Sequence, residues 1–217
     1  MTHALEAYVS VMASDMTDGI ALKATKLVFD NLPSAYLNGA KDPVAREHMA
    51  MASTLAGEAF ANAFLGLNHS MAHKLGAYHH IPHGVANALV LTYVMRYNAN
   101  PVPVKMGTFP QYQYPHALER YCDVARYNGL AGRTDQETFD LLLDRLEELK
   151  KTIGIPSSIQ EYGIKEEDFL STLDEMTENA FNDQCTGANP RYPLMSEIRQ
   201  LYLLAFYGKD TKEAALI

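Results

Sequence analysis

Tryptophan is absent from this 217-residue chain, and cysteine occurs only twice, at Cys122 and Cys185. Two thiols cannot build the bridge framework of a small secreted fold, so a reducing cytoplasm is the expected setting. Basic residues are in the minority: eighteen Lys and Arg against twenty-six Asp and Glu leave a net charge of −8 with histidine neutral. They form no run or stripe, so no nucleic acid is expected as a partner. No apolar stretch reaches membrane-spanning length and no secretory pattern opens the chain, so no membrane partner is expected either. Strand-rich regions, internal repeats and Gly-rich phosphate loops are missing. So are HExxH and ExxH metal motifs, cysteine pairs for structural zinc, and a serine nucleophile elbow. What remains, 47% hydrophobic and 20% charged, has the balance of an ordinary globular interior and surface.

Nearly every segment carries helical periodicity. "DQETFDLLLDRLEELKKTIG" places Phe139, Leu142, Leu143, Leu146, Leu149 and Ile153 on one stripe. Its acidic residues come early and Lys150 and Lys151 late, as the helix dipole prefers, and Gly154 and Pro156 end it. Ser157 and Ser158 offer a cap for a short helix before Gly163. "KEEDFLSTLDEMTENAF" carries Phe169, Leu173, Met176 and Ala180 at helical spacing; "PLMSEIRQLYLLAFYG" does the same with Ile198, Leu201, Tyr202 and Ala205, and stops at Gly208. Upstream, "SDMTDGIALKATKLVFDNLPSAYL" begins at the capping residues Ser14 and Asp15 and is expected to break near Pro33. From Met49 to Leu67 the only charged side chain is Glu58, which predicts a helix buried all round. The Pro-rich stretch 98–116 reads as a long loop. "MTHALEAYVSVMAS" is helical from its first residues, with Leu5, Tyr8, Val9 and Met12 on one face and no cap before it, so a start inside a longer element is expected. The expected organisation is a single all-α domain over residues 1–217.

Five of the eight histidines fall within "NHSMAHKLGAYHHIPHG", residues 68–84. His69 and His73 are four apart and share a helix face. Pro82 holds Ile81 extended, which ends that helix, and Gly84 is expected to turn the chain into "VANALVLTYVMRY", a second buried helix. His83 can then point back at the first helix. Neutral imidazoles so arranged suit Fe2+, Zn2+ or another first-row ion. His79 and His80 are read as outer-shell or surface residues, and His48 and His116 as surface residues.

"AFANAFLGLNHSMAHKLGAYHHIPHGVANAL" resembles the signature of the iron-containing (group III) alcohol dehydrogenases. "NDQCTGANPRYPLMSEIRQLY" narrows the likeness to the alcohol dehydrogenase half of bifunctional acetaldehyde–alcohol dehydrogenases, and the resemblance runs from Thr2 to about Gly208. It implies a helical metal domain of the dehydroquinate synthase-like kind, which in the family follows a dinucleotide-binding α/β domain. It implies Fe2+ and NAD(H) as cofactors and a short-chain aldehyde or alcohol as substrate. Carried over by position, His3, His69 and His83 are the metal ligands. His73 is the residue near nicotinamide and substrate, a proton relay, and Phe60 and Cys185 line the pocket. The family's remaining ligand, an aspartate one turn before His3, would fall ahead of Met1, as would the dinucleotide-binding domain. The isolated chain is therefore expected to be inactive, with Zn2+ as an alternative ion, and to self-associate as a homo-oligomer. Two other readings stay open: a stand-alone metal-binding or oligomerisation module, and a metal-dependent helical hydrolase or lyase, which would need a carboxylate base. Glu58 is the only obvious carboxylate close to the cluster in sequence and is read as structural.

Overall fold

The computed structural model describes residues 1–100 and 116–208, and among these it contains helices and no strand. In chain order they are α1 (Thr2–Val9), α2 (Asp15–Asn38), α3 (Pro43–Ala63), α4 (Leu67–His79), α5 (His83–Ala99), α6 (Ala117–Tyr127), α7 (Asp135–Thr152), α8 (Ile159–Tyr162), α9 (Glu166–Phe181) and α10 (Met195–Tyr207). A 3-10 turn, Gln184–Ala188, lies between α9 and α10. The loop expected at 98–116 lies, from 101 to 115, outside the described residues. No helix among the described residues is long and apolar enough to cross a membrane.

Two apolar cores organise these helices. One gathers α1, α2, α3, α6 and α7 around residues such as Leu5, Phe29, Tyr121 and Leu142. The other gathers α4, α8, α9 and α10 around Met71, Phe169, Met176 and Phe206. Helix α5 belongs to both: Leu91, Met95 and Ala99 face the first core, and Leu89, Val90 and Tyr97 the second. That shared position explains why α5 is buried over most of its circumference. Glycines stop the helices where the sequence placed them: Gly154, Gly163 and Gly208 all take positive φ.

Four expectations are corrected. Helix α3 is not buried all round: Ala52, Ala56, Ala59 and Ala63 face the core, while Met51, Ser53, Glu58 and Asn62 are exposed. Small and uncharged side chains imitate a buried composition there, and the enclosed helix is α5. Helix α2 does not break at Pro33 but continues to Asn38. Proline removes the donor to the Phe29 carbonyl, yet the packing of α2 on α3 carries the helix through. Met12 leaves the apolar face of α1, because that helix ends at Val9 and Met12 is exposed. Finally, Gly84 does not make the turn between α4 and α5. His80 does, in the left-handed region at φ 55°, and Gly84 lies inside α5.

Candidate metal centre

Helices α1, α4 and α5 meet where the two cores join, and each contributes one imidazole. His3 comes from the first turn of α1, His69 from the first turn of α4, and His83 is the first residue of α5. Their ring nitrogens lie within 4.8 Å of one another. The Nε2 atoms of His3 and His69 are 3.2 Å apart. Two ligands at about 2.1 Å from one tetrahedral ion sit roughly 3.4 Å apart, so the spacing suits a shared ion.

His69 is held from behind. Its Nδ1 donates to the carboxylate of Glu6, one turn along α1 from His3, which leaves the Nε2 lone pair facing His3. An outer carboxylate of this kind fixes tautomer and ring direction in metal-binding histidines. Glu6 has a second task. Gly66, at the N-cap of α4, has no side chain to satisfy the first amides of that helix. Distant residues do so instead: Asn68 N and His69 N donate to Glu6 Oε1 at 2.8 and 3.4 Å, and Leu67 N donates to Asn189 Oδ1 at 3.1 Å. A negative charge there also complements the helix dipole. The arrangement needs a bare backbone at Gly66, since a Cβ would come within 2.8 Å of Asn189 Oδ1 and 3.0 Å of Glu6 Oε1. Gly66→Ala is therefore expected to cost about 1–3 kcal/mol, measured by urea denaturation; an unchanged midpoint would show that these acceptors move aside freely.

His83 is exposed and is steadied by Asn87, whose Nδ2 lies 3.2 Å from its Nε2 and donates to its carbonyl at 3.0 Å. Burial first, and then repulsion from the other imidazoles, pulls the pKa of His3 down to about 4. The same causes lower that of His83. Both rings are neutral at pH 7 and offer lone pairs to a cation.

The other residues singled out from the sequence gather around this triplet. Phe60 packs on His3 with ring centroids 4.7 Å apart. His73, one turn beyond His69, stacks on His83 at 5.6 Å. Its Nδ1 meets Asp183 Oδ2 at 3.1 Å. Cys185 is buried beside Asp183, and burial pushes its thiol up to about 12, with the Asp183 charge adding to the shift. His73, Asp183 and Cys185 make a second group of potential ligand atoms within 4.8 Å. An ammonium already occupies the cation position there, for Lys74 Nζ donates to Asp183 Oδ2 at 2.8 Å. Burial alone would raise the Asp183 pKa; hydrogen bonds from Lys74, the Cys185 amide and His73 outweigh it and hold the carboxyl well below the usual range. Its ionised form thus stabilises the fold above the ordinary carboxylate pKa, and that contribution fades as pH falls towards the lowered value.

The remaining histidines lie elsewhere. His79 pairs with Thr172, His48 with Asn31, and His80 and His116 are exposed. Glu58 is also exposed and contributes to neither group. Sequence reasoning missed Glu6, Asn87, Asp183 and Lys74. A signal existed for Glu6: it is the only acidic residue before Asp15 and stands three residues after His3.

Comparison with known proteins places this helical scaffold in a class of oxidoreductase domains. The sequence profile of the Fe-containing alcohol dehydrogenase family, C-terminal, matches residues 1–206. The chain belongs to this family. It is 54% identical over 215 residues to the bifunctional aldehyde-alcohol dehydrogenase of Escherichia coli, covering 98% of this chain and 24% of that protein. It is 52% identical over 206 residues to the aldehyde-alcohol dehydrogenase of Clostridium acetobutylicum, covering 95% and 24%. Among solved structures, a 1,3-propanediol oxidoreductase superposes with a TM-score of 0.80 at 37% identity, covering 94% of this chain and 49% of that one. An iron-containing alcohol dehydrogenase from Thermococcus thioreducens gives 0.80 at 36% identity, covering 95% and 48%. The chain thus spans about a quarter of the length of these two curated relatives.

Proposed function

We propose that this chain is the metal-binding half of an NAD-dependent alcohol dehydrogenase that interconverts a short-chain aldehyde, acetaldehyde in the first instance, and its alcohol. The observation that carries the reading is the convergence of His3, His69 and His83, with a buried carboxylate orienting the second. The donor set fits a first-row divalent ion. Fe2+ is the ion the family name implies, and Zn2+ is the alternative for a set of three neutral imidazoles. When bound, such an ion supplies Lewis acidity towards a carbonyl oxygen.

The chain's other residues have separate tasks. Glu6 holds His69, and Asn87 steadies His83. Phe60, packed on His3, and Cys185, buried beside Asp183, are assigned to the substrate side of the centre, where a neutral thiol and an aromatic face favour a small apolar substrate over a charged one. His73 is the proton relay and the contact to the nicotinamide. In this reading NAD(H) is anchored by a separate dinucleotide-binding domain, and these 217 residues supply the metal side of the site. Two buried, unpaired cysteines agree with a cytoplasmic location, and exposed Tyr36, Leu37, Val44 and Met51 agree with self-association as a homo-oligomer. The hydrolase reading draws no support from Glu58, which is exposed and belongs to neither group of potential ligands.

The test uses a dehydrogenase in which this chain is joined to its dinucleotide-binding domain. His73→Ala is expected to keep the metal and slow ethanol-linked NAD reduction by about 100-fold or more, the usual weight of a proton-transfer group. Loss of metal together with activity would make His73 a ligand and overturn this division of roles.

A further inference from the structure

We infer that Asp183 is a positioning residue for His73: it fixes the ring's direction and tautomer so that Nε2 presents its lone pair to a substrate hydroxyl. The inference rests on the role proposed above for His73. His73 touches Asp183 through Nδ1 alone, and among the described residues its Nε2 has no hydrogen-bond partner. A carboxylate can only accept, so a neutral His73 carries its proton on Nδ1 and leaves Nε2 bare. The stack on His83, tilted by only 16°, fixes the plane in which that lone pair lies.

Asp183 is itself locked in place. It caps the 3-10 turn by accepting from Cys185 N at 3.0 Å, and its other oxygen accepts from Lys74 at 2.8 Å. Its side chain is 9% exposed, against 36% for the ring it directs. The stiff partner is therefore the carboxylate, and the exposed ring follows it. Lys74 neutralises the carboxylate without competing for Nδ1, since an ammonium cannot accept a hydrogen bond. In alcohol oxidation the hydroxyl proton would pass to Nε2 while Nδ1–H stays bonded to Asp183, and in aldehyde reduction the same proton would return.

The test reads the tautomer directly. The Zn2+-loaded full chain, labelled with 15N-histidine, is examined by long-range 15N–1H correlation at a pH where His73 is neutral, with His73→Gln used for assignment. The wild type is expected to show a protonated Nδ1 and a bare Nε2. Asp183→Asn keeps an oxygen for the Cys185 amide but can turn a donor towards Nδ1, so the proton should move to Nε2. Lys74→Met, which leaves the carboxylate in place, should not move it. In the dehydrogenase, Asp183→Asn should lower kcat by about 10- to 100-fold with bound metal unchanged. A wild-type ring protonated on Nε2, or a tautomer indifferent to Asp183→Asn, would overturn the inference. A moved proton with unaltered kcat would support the positioning role and count instead against His73 as the relay.

Discussion

Glu6→Ala is expected to cost about 3–5 kcal/mol of folding stability, the usual result of removing one partner from a buried charged hydrogen-bond set. The carboxylate is 5% exposed and serves three donors: the His69 ring and the backbone amides of Asn68 and His69. Alanine leaves all three facing a dry space, and the amides open helix α4, which carries the candidate ligand. The same change releases the His69 ring, so zinc affinity should fall by about 10- to 100-fold, as for other outer-shell carboxylates. Glu6→Gln should be milder, because its amide oxygen can still accept. Urea denaturation measures the first effect and competition with a zinc-binding dye the second. A loss below about 1 kcal/mol would mean that α4 finds other acceptors.

His83→Ala is expected to separate metal binding from folding. Its side chain is exposed at the start of α5, and Asn87 can still donate to the backbone carbonyl at position 83 once the ring is gone. Stability without metal should therefore change by no more than about 0.5 kcal/mol. Metal affinity should fall at least about 100-fold, beyond the range seen when only an outer-shell partner is lost. The sign of any coupled effect follows from linkage: a saturating ion that binds only the folded state stabilises the wild type and should leave the variant unmoved. Thermal melts with and without Zn2+ give both readings in one experiment. An equal zinc-induced shift in the variant would remove His83 from the ligand set.

Much of this architecture could be read from local sequence because it is locally encoded. Apolar stripes, capping serines and terminal glycines placed α7, α8, α9 and α10 close to where they lie, since each depends on contacts within a few residues. The histidine spacing placed two of the triplet for the same reason: His69 is fixed by helix geometry and His83 by the chain reversal at His80, whereas His3 came only from the family resemblance. The errors came from tertiary context. Nothing local distinguishes the half-exposed α3 from the enclosed α5, because alanine, serine and threonine tolerate either setting. Pro33 ends an isolated helix but not one packed along a neighbour. Asp183 and Lys74 lie 109 positions apart, and their pairing exists only once the turn after α9 has folded against α4.

The most direct measurement of the central claim is X-ray absorption at the zinc edge of the Zn2+-loaded chain, beside its His3→Ala, His69→Ala and His83→Ala variants. Three imidazole nitrogens at about 2.0–2.1 Å are expected in the wild type, with a loss of zinc or of one imidazole in each variant. A wild-type spectrum without imidazole scattering, or one that none of the three substitutions alters, would contradict a metal centre built by α1, α4 and α5.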